Sequence, residues 1–283
     1  MKQMTLGQYY PGCSFMHRLD PRIKVIGALL YIVAAFLCAN FFSFVLLLVS
    51  ALGLILLSRI PIRVILNSMR ALIAVMIFTA VLNVFWTVEE GAQPLLEWPL
   101  FEWLVIRVYE SGLYRALFVL VRIVAMVIGS SLFLTYTTTP IALTDAIERL
   151  LAPLKKLHVP VHEFAMMMTI ALRFIPTLMD ETEKIMSAQK ARGADFTTGS
   201  LIQRAKALIP IIVPLFASSL RRAGELATAM ECRCYHGGEG RTRLRVLHLH
   251  ARDAAAMLGM LALIGGIVAI NFLGESYGWL YTM

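Results

Sequence analysis

Cys232, Cys234 and His236 stand at alternate positions in MECRCYHGGEGRTR, residues 230–243. Thiolates and imidazole are good zinc ligands, and His248 or His250 would complete a set of four. The spacing opposes that use. Paired cysteines in structural zinc sites usually enclose two to four residues, whereas here Arg233 alone separates them and sets a fixed cation beside any ion. The same closeness makes a disulfide strained, and Cys13 and Cys38 add no framework. Acid–base pairs can be drawn from Asp145 with Glu148 or His162 with Glu163. No apolar segment, however, gathers the Asp, Glu or His of an intramembrane active site. GGEG, 237–240, lacks the Lys-Ser or Lys-Thr that completes a phosphate-binding loop. No catalytic residue, metal or cofactor is assigned on these grounds, and any ATP chemistry must belong to another chain.

The elements that carry these residues belong to a membrane protein. Of 283 residues, 59% are hydrophobic and 16% charged, and the mean hydropathy is +0.73, far to the apolar side of soluble domains. A net charge of +8 could point to nucleic acid, but in such a chain excess Lys and Arg follow first from the positive-inside rule, and no nucleic-acid partner is assigned. Crossing the hydrocarbon layer takes roughly 20 apolar residues. Five stretches qualify, at about 23–40, 41–58, 68–88, 112–135 and 254–274.

Charge orients them. Lys2, Arg18, Arg22 and Lys24 precede the first span, and Arg59, Arg63 and Arg70 fall around the junction of the second and third. Both regions are therefore expected on the cytoplasmic side. The connection after the third span carries Glu89, Glu90, Glu97, Glu102 and Glu110 against Arg107, so it is expected outside, with Trp98 and Trp103 as interfacial anchors. The N-terminus is then cytoplasmic and the C-terminus extracellular.

Between the fourth and fifth spans, 137–252 is too long for a loop. Pro140, Pro153, Pro160, Pro176, Pro210 and Pro214 punctuate three helical pieces, at about 140–157, 161–193 and 201–234. In the last piece, Phe216, Leu220, Ala223, Ala227 and Met230 recur at helical steps on one face, leaving Arg221, Arg222 and Glu225 elsewhere. Leu178, Ile185 and Met186 make a similar stripe in the piece before it, with Asp180, Glu181, Glu183 and Lys184 off the stripe. An echo links the two ends: SAQKARGADF, 187–196, aligns without a gap on TAMECRCYHG, 228–237, matching Arg192 with Arg233. Ala191 and Gly193 flank one arginine, Cys232 and Cys234 the other, which reads the cysteines as small side chains rather than ligands.

AQKARGADF followed by MECRCY, with LRFIPTLMDETEKIMSAQ before the first and GRTR after the second, resembles the transmembrane T component of energy-coupling factor transporters. The opening QYYPGCSFMHRLDPRIKVI is similar to that family's N-terminal segment. The resemblance implies a subunit of a prokaryotic cell membrane that joins two cytoplasmic ATPase subunits to a membrane-embedded S component, which captures a vitamin or a metal ion. It further implies that Ala191, Arg192, Gly193, Cys232, Arg233 and Cys234 form the tips that dock on the ATPases. Met179, Met186, Phe216, Leu220 and Met230 would then face the S component. An ABC permease that binds solute itself, and a membrane protein with a Cys/His metal site, are the other readings.

The expected fold is an all-α membrane protein. About five transmembrane helices are joined by a cytoplasmic or interfacial domain of three amphipathic coupling helices inserted before the last span. Its divisions are 1–136, 137–252 and 253–283.

Overall fold

A computed structural model describes residues 9–86, 96–101, 104–196, 200–237 and 249–277. Lys2, Glu89, Glu90, Glu102, Trp103, the glycine-rich turn beyond residue 237 and His248, all singled out above, lie outside the described residues. The chain is an all-α membrane protein that divides into two compact units. Met1–Ala146 with Leu247–Met283 makes one, and Ile147–Val246 the other.

The first unit is organised around α1, Pro21–Leu37. Its start is fixed by Asp20, whose side chain accepts from the Arg22 amide, and by Pro21 in the first turn, where no amide hydrogen bond is lost. Ala28, Tyr31, Ala34 and Ala35 are fully buried, and α1 packs on α2 (Phe41–Ser58), α5 (Glu110–Ser130) and α9 (Ala251–Tyr277). Small side chains let these backbones approach in lipid, where the hydrophobic effect no longer drives association. Tyr31 lies so close to Gly129 of α5 that a Cβ there would overlap its ring.

Polar groups tie both ends of this bundle. At one end, Asn271 of α9 donates to the Leu37 carbonyl at 2.6 Å and accepts from Ser43 at 2.9 Å. Arg122, the charge deep in the fourth expected span, donates to the Cys38 carbonyl at 2.7 Å and lies 5.2 Å from the Phe44 ring centre. It thus meets an orphan carbonyl at the end of α1 and an aromatic face, rather than lipid. At the opposite end, Asp253 accepts from the amides of Asp20 and His250, both at 2.8 Å, and Lys24 donates to the Thr137 carbonyl at 2.8 Å.

The segment after α2 is longer than its hydropathy suggested. α3 (Ile62–Met69), a 3-10 turn and α4 (Ile73–Trp86) run almost continuously from Pro61. The expected outer connection contains an antiparallel pair, β1 (Leu96–Phe101) on β2 (Leu104–Val108), where the reading above placed only a loop. Val105, Ile106 and Val108 explain the difference, since β-branched residues favour extended backbone. α5 continues as a π-helical turn over Ser131–Thr135.

Among the described residues five helices are long and apolar enough to cross a membrane: α2, α3 with α4, α5 with its π turn, α8 (Leu201–Cys232) and α9. The number matches the expectation but the membership does not. α1, at 17 residues, stands at the lower limit of a spanning helix, while α8 proves long and apolar enough by composition. Four expected spans therefore coincide with these helices, α1 fills the remaining place, and α8 is the least apolar of the five.

The expected piece 140–157 is two elements, α6 (Pro140–Leu150) and a 3-10 helix over Ala152–Leu157. The other two pieces are single helices, α7 (Val161–Ala191) and α8. At 31 and 32 residues, each extends about 46–48 Å at 1.5 Å per residue.

Candidate functional site

Both long helices begin and end on local signals. Pro160 caps the start of α7. Ser200 caps α8 by accepting from the Gln203 amide, while the Gln203 side chain accepts in return from the Ser200 amide. Pro176 within α7, and Pro210 with Pro214 within α8, each withdraw one amide from the helical ladder.

Their far ends are built alike. Arg192 is the C-cap of α7, and the next residue, Gly193, takes a left-handed conformation at φ +86°. The Gly193 amide donates to the Lys190 carbonyl and the Ala194 amide to the Gln189 carbonyl, both at 3.0 Å. That crossed pair is a Schellman motif, which satisfies carbonyls the helix leaves open. Arg233 is likewise the C-cap of α8, followed by Cys234 at φ +56°. The Cys234 amide donates to the Glu231 carbonyl at 2.8 Å, and the Tyr235 amide to the Met230 carbonyl at 3.0 Å.

The ungapped sequence echo is thus a structural equivalence. Ala191 and Cys232 are last helical residues, Arg192 and Arg233 are caps, and Gly193 and Cys234 are the left-handed residues that turn the chain away. All six are exposed. This refines the reading of the cysteines as small neighbours. Cys232 continues the helix and has no special backbone demand, but Cys234 occupies a conformation in which an ordinary side chain costs about 1–2 kcal/mol. Each arginine leaves a rigid helix end, where its charge also suits the negative pole of the helix.

Behind the tips α7 and α8 are clasped. Glu181 accepts from Ser218 at 2.6 Å and pairs with Arg222. The Ser218 hydroxyl does most to hold the Glu181 carboxyl below the usual carboxylate range; partial burial acts in the opposite direction, and the Arg222 charge and hydrogen bond add to the lowering. From the sequence Glu181 and Arg222 fell on the wet sides of their helices, and nothing in one sequence signals that residues 41 apart meet. Beside the clasp lies a cavity of about 320 Å³ lined by Phe174, Leu178, Ala223, Leu226, Ala227 and Met230, among others.

The expected S-component residues divide on this geometry. Met230 lines the cavity and is half-buried, as is Met186. Met179, Phe216 and Leu220 are exposed, at 42%, 64% and 58%, and do not line it. The cysteine and histidine side chains do not converge: His236 hydrogen-bonds the Cys234 carbonyl, Cys232 and Cys234 are free, and no group of three or more His, Cys, Asp or Glu gathers among the described residues.

Four apolar spanning helices of the first unit and two arginine-capped helices of the second, one of them also long and apolar enough to span, define a multi-pass membrane protein without an evident catalytic cluster among its described residues. A family profile described as cobalt transport protein, CbiQ, matches residues 12–244. A Clostridium kluyveri protein named energy-coupling factor transporter transmembrane protein EcfT is 53% identical over 93% of this chain and 95% of its own length. Proteins of the same name from Thermosediminibacter oceani and Bacillus subtilis are each 45% identical, covering 99% and 93% of this chain and 100% and 96% of theirs. The chain belongs to this CbiQ/EcfT family: it is the energy-coupling membrane component of an energy-coupling factor transporter.

Proposed function

We propose that this subunit links ATP hydrolysis by two cytoplasmic ATPase subunits to uptake of a vitamin or metal ion held by a separate S component. Arg192 engages one ATPase and Arg233 the other, with Ala191, Gly193, Cys232 and Cys234 shaping the two tips. The observation that carries this reading is the repeated construction of the tips, an exposed arginine on an identically capped end of each of two long helices. Arginine suits the task because its planar fork grips a carboxylate through two parallel hydrogen bonds and stays charged. The Glu181 clasp couples the helices, so a pull on either tip acts on both.

The same reading gives the apolar surface of α7 and α8 to the S component through Met179, Met186, Phe216, Leu220 and Met230. Within Ile147–Val246 few described residues are buried, namely Glu148, Val161, Ala165, Ile211 and Ser218, leaving large apolar side chains available. Region 137–252 is assigned to the cytoplasmic side and its interface, with the N-terminus cytoplasmic and the C-terminus outside. Arg204, Lys206, Arg221, Arg222, Glu225 and Glu231 on α8 favour that placement over a lipid-embedded one.

The test is Arg192→Ala with Arg233→Ala in the assembled complex, reconstituted in vesicles with ATP inside the compartment that holds the ATPases. Uptake is expected to fall to background while the S component still binds substrate. Wild-type uptake with both ATPases still attached would refute the docking role.

A further inference from the structure

The proposed function leaves one cavity of the membrane unit unused. It lies where the start of α1, the end of α2 and the start of α9 come together, the end tied by the Asp20–Asp253 hydrogen bond. Its volume is about 480 Å³, and Arg18, Arg59 and Arg252 line it together with Ser14, Leu56 and Leu57. Each arginine comes from a different element: the 3-10 turn Met16–Arg18, the C-cap of α2 and the first turn of α9. Among the described residues no Asp or Glu lines the cavity, and none of the three guanidinium groups is ion-paired.

Three arginines lining one cavity, with no counter-charge among the described residues, favour a multiply hydrogen-bonded anion, and the planar fork of arginine matches phosphate oxygens. The remaining walls narrow the choice of anion. Leu56 and Leu57, 68% and 47% exposed, belong to the last turn of a span, so the cavity opens at the boundary between hydrocarbon and water. A free phosphate has no use for two exposed leucines, whereas a phospholipid would lay its glycerol and first acyl carbons there. Arg59 adds a second sign of specialisation: it is a non-glycine residue held left-handed at φ 54°, ψ 27°, a conformation glycine would take at lower cost.

We infer that this cavity binds the phosphodiester headgroup of an anionic phospholipid. Arg18, Arg59 and Arg252 hold the phosphate, and Leu56 with Leu57 receive the start of the acyl chains. Basic pockets between transmembrane helices are established sites for such headgroups. The occupant would anchor the shared ends of α1, α2 and α9 at a fixed depth.

The experiment is native mass spectrometry of the full chain in detergent with equimolar dioleoyl phosphatidylglycerol and dioleoyl phosphatidylcholine. Phosphatidylglycerol is expected to be retained in preference. Arg18→Gln with Arg59→Gln should weaken its retention roughly thirtyfold, from the attraction each basic residue exerts on an anionic headgroup. Arg63→Gln with Arg70→Gln, equal in charge and exposed outside the cavity, should leave retention near wild type. Equal retention by the cavity variant and wild type overturns the assignment, as does equal loss in both double variants, which would mean diffuse attraction. Displacement of the lipid by millimolar inorganic phosphate would reassign the cavity to a free anion. Should the cavity variant fail to fold, Arg252→Gln alone carries the test, with about a fivefold loss expected.

Discussion

Gly193 and Cys234 occupy the same left-handed position after α7 and α8, so exchanging the demands of the two sites should shift their stabilities in opposite directions. In Gly193→Ala the new Cβ meets nothing within 4 Å, which removes steric clash and leaves backbone strain alone. That strain costs about 1–2 kcal/mol, offset by about 0.4–1 kcal/mol from the smaller unfolded-state freedom of alanine. The expected net loss is about 1 kcal/mol, or roughly fivefold in local opening. Cys234→Gly reverses the balance, relieving strain while adding unfolded-state freedom, for a gain of about 0.5 kcal/mol or roughly twofold. Hydrogen exchange of the full chain reads both, because the Gly193, Ala194, Cys234 and Tyr235 amides are the donors of the two capping motifs. Protection of 188–194 should fall in the first variant, and that of 229–236 should rise in the second. Opposite shifts of this size require the two ends to share one construction. Loss of protection in Cys234→Gly would mean that the thiol contributes more than it strains, and the equivalence would fail.

Other perturbations test the packing. Glu181 has a depressed folded pKa, so its contribution to the α7–α8 clasp is complete above the ordinary glutamate value of about 4.3 and is lost as pH falls through the lower folded value. Spin labels on the two helices should report separation only under acid in the wild type, whereas Glu181→Gln should show it already at neutral pH and respond little to acid. Gly129→Ala would force the buried Tyr31 ring aside and should destabilise the membrane unit by about 1–3 kcal/mol, read as a lower melting temperature in detergent. Arg122→Gln removes the guanidinium bond to the Cys38 carbonyl and the contact with Phe44, for an expected loss of about 2 kcal/mol in the same assay. No change in either melting temperature would count against the packing described for α1.

The legible parts of this fold were those written in local chemistry. Expected helices at 161–193 and 201–234 appear as Val161–Ala191 and Leu201–Cys232 because Pro160, Ser200 and the arginine turns mark their ends within one helical turn. Gly193 announces a left-handed turn on its own, but Cys234 does not, since a cysteine carries no preference for positive φ and only alignment with the first tip hints at the role. The Glu181–Arg222 clasp was illegible for a different reason: it depends on the register of two helices, and amphipathic periodicity assigns charged residues to water by default. Span membership was legible but for one matter of degree. α1, short and packed inside its own bundle, stands at the lower limit of a spanning helix, while α8, read from its charges as a coupling helix, is also long and apolar enough to cross.

The two units solve the problem of polar groups in opposite ways. In the packed interior of the membrane unit they close on the chain itself: Arg122 and Asn271 at one end, and Lys24, Asp20 and Asp253 at the other, hydrogen-bond the caps and turns around α1, α5 and α9. Alanine and glycine fill the space between them, so side-chain size rather than hydrophobicity sets how the helices register. In Ile147–Val246 one clasp holds the long helices while Arg192 and Arg233 remain exposed at their tips. An element that couples other proteins needs this division. On the proposed function the bundle resists displacement, and the helix pair keeps charged and apolar surface for the partners that would dock there. Stabilising α7 and α8 by burying Phe216 or Leu220 against their own chain would therefore be expected to raise stability and lower transport together.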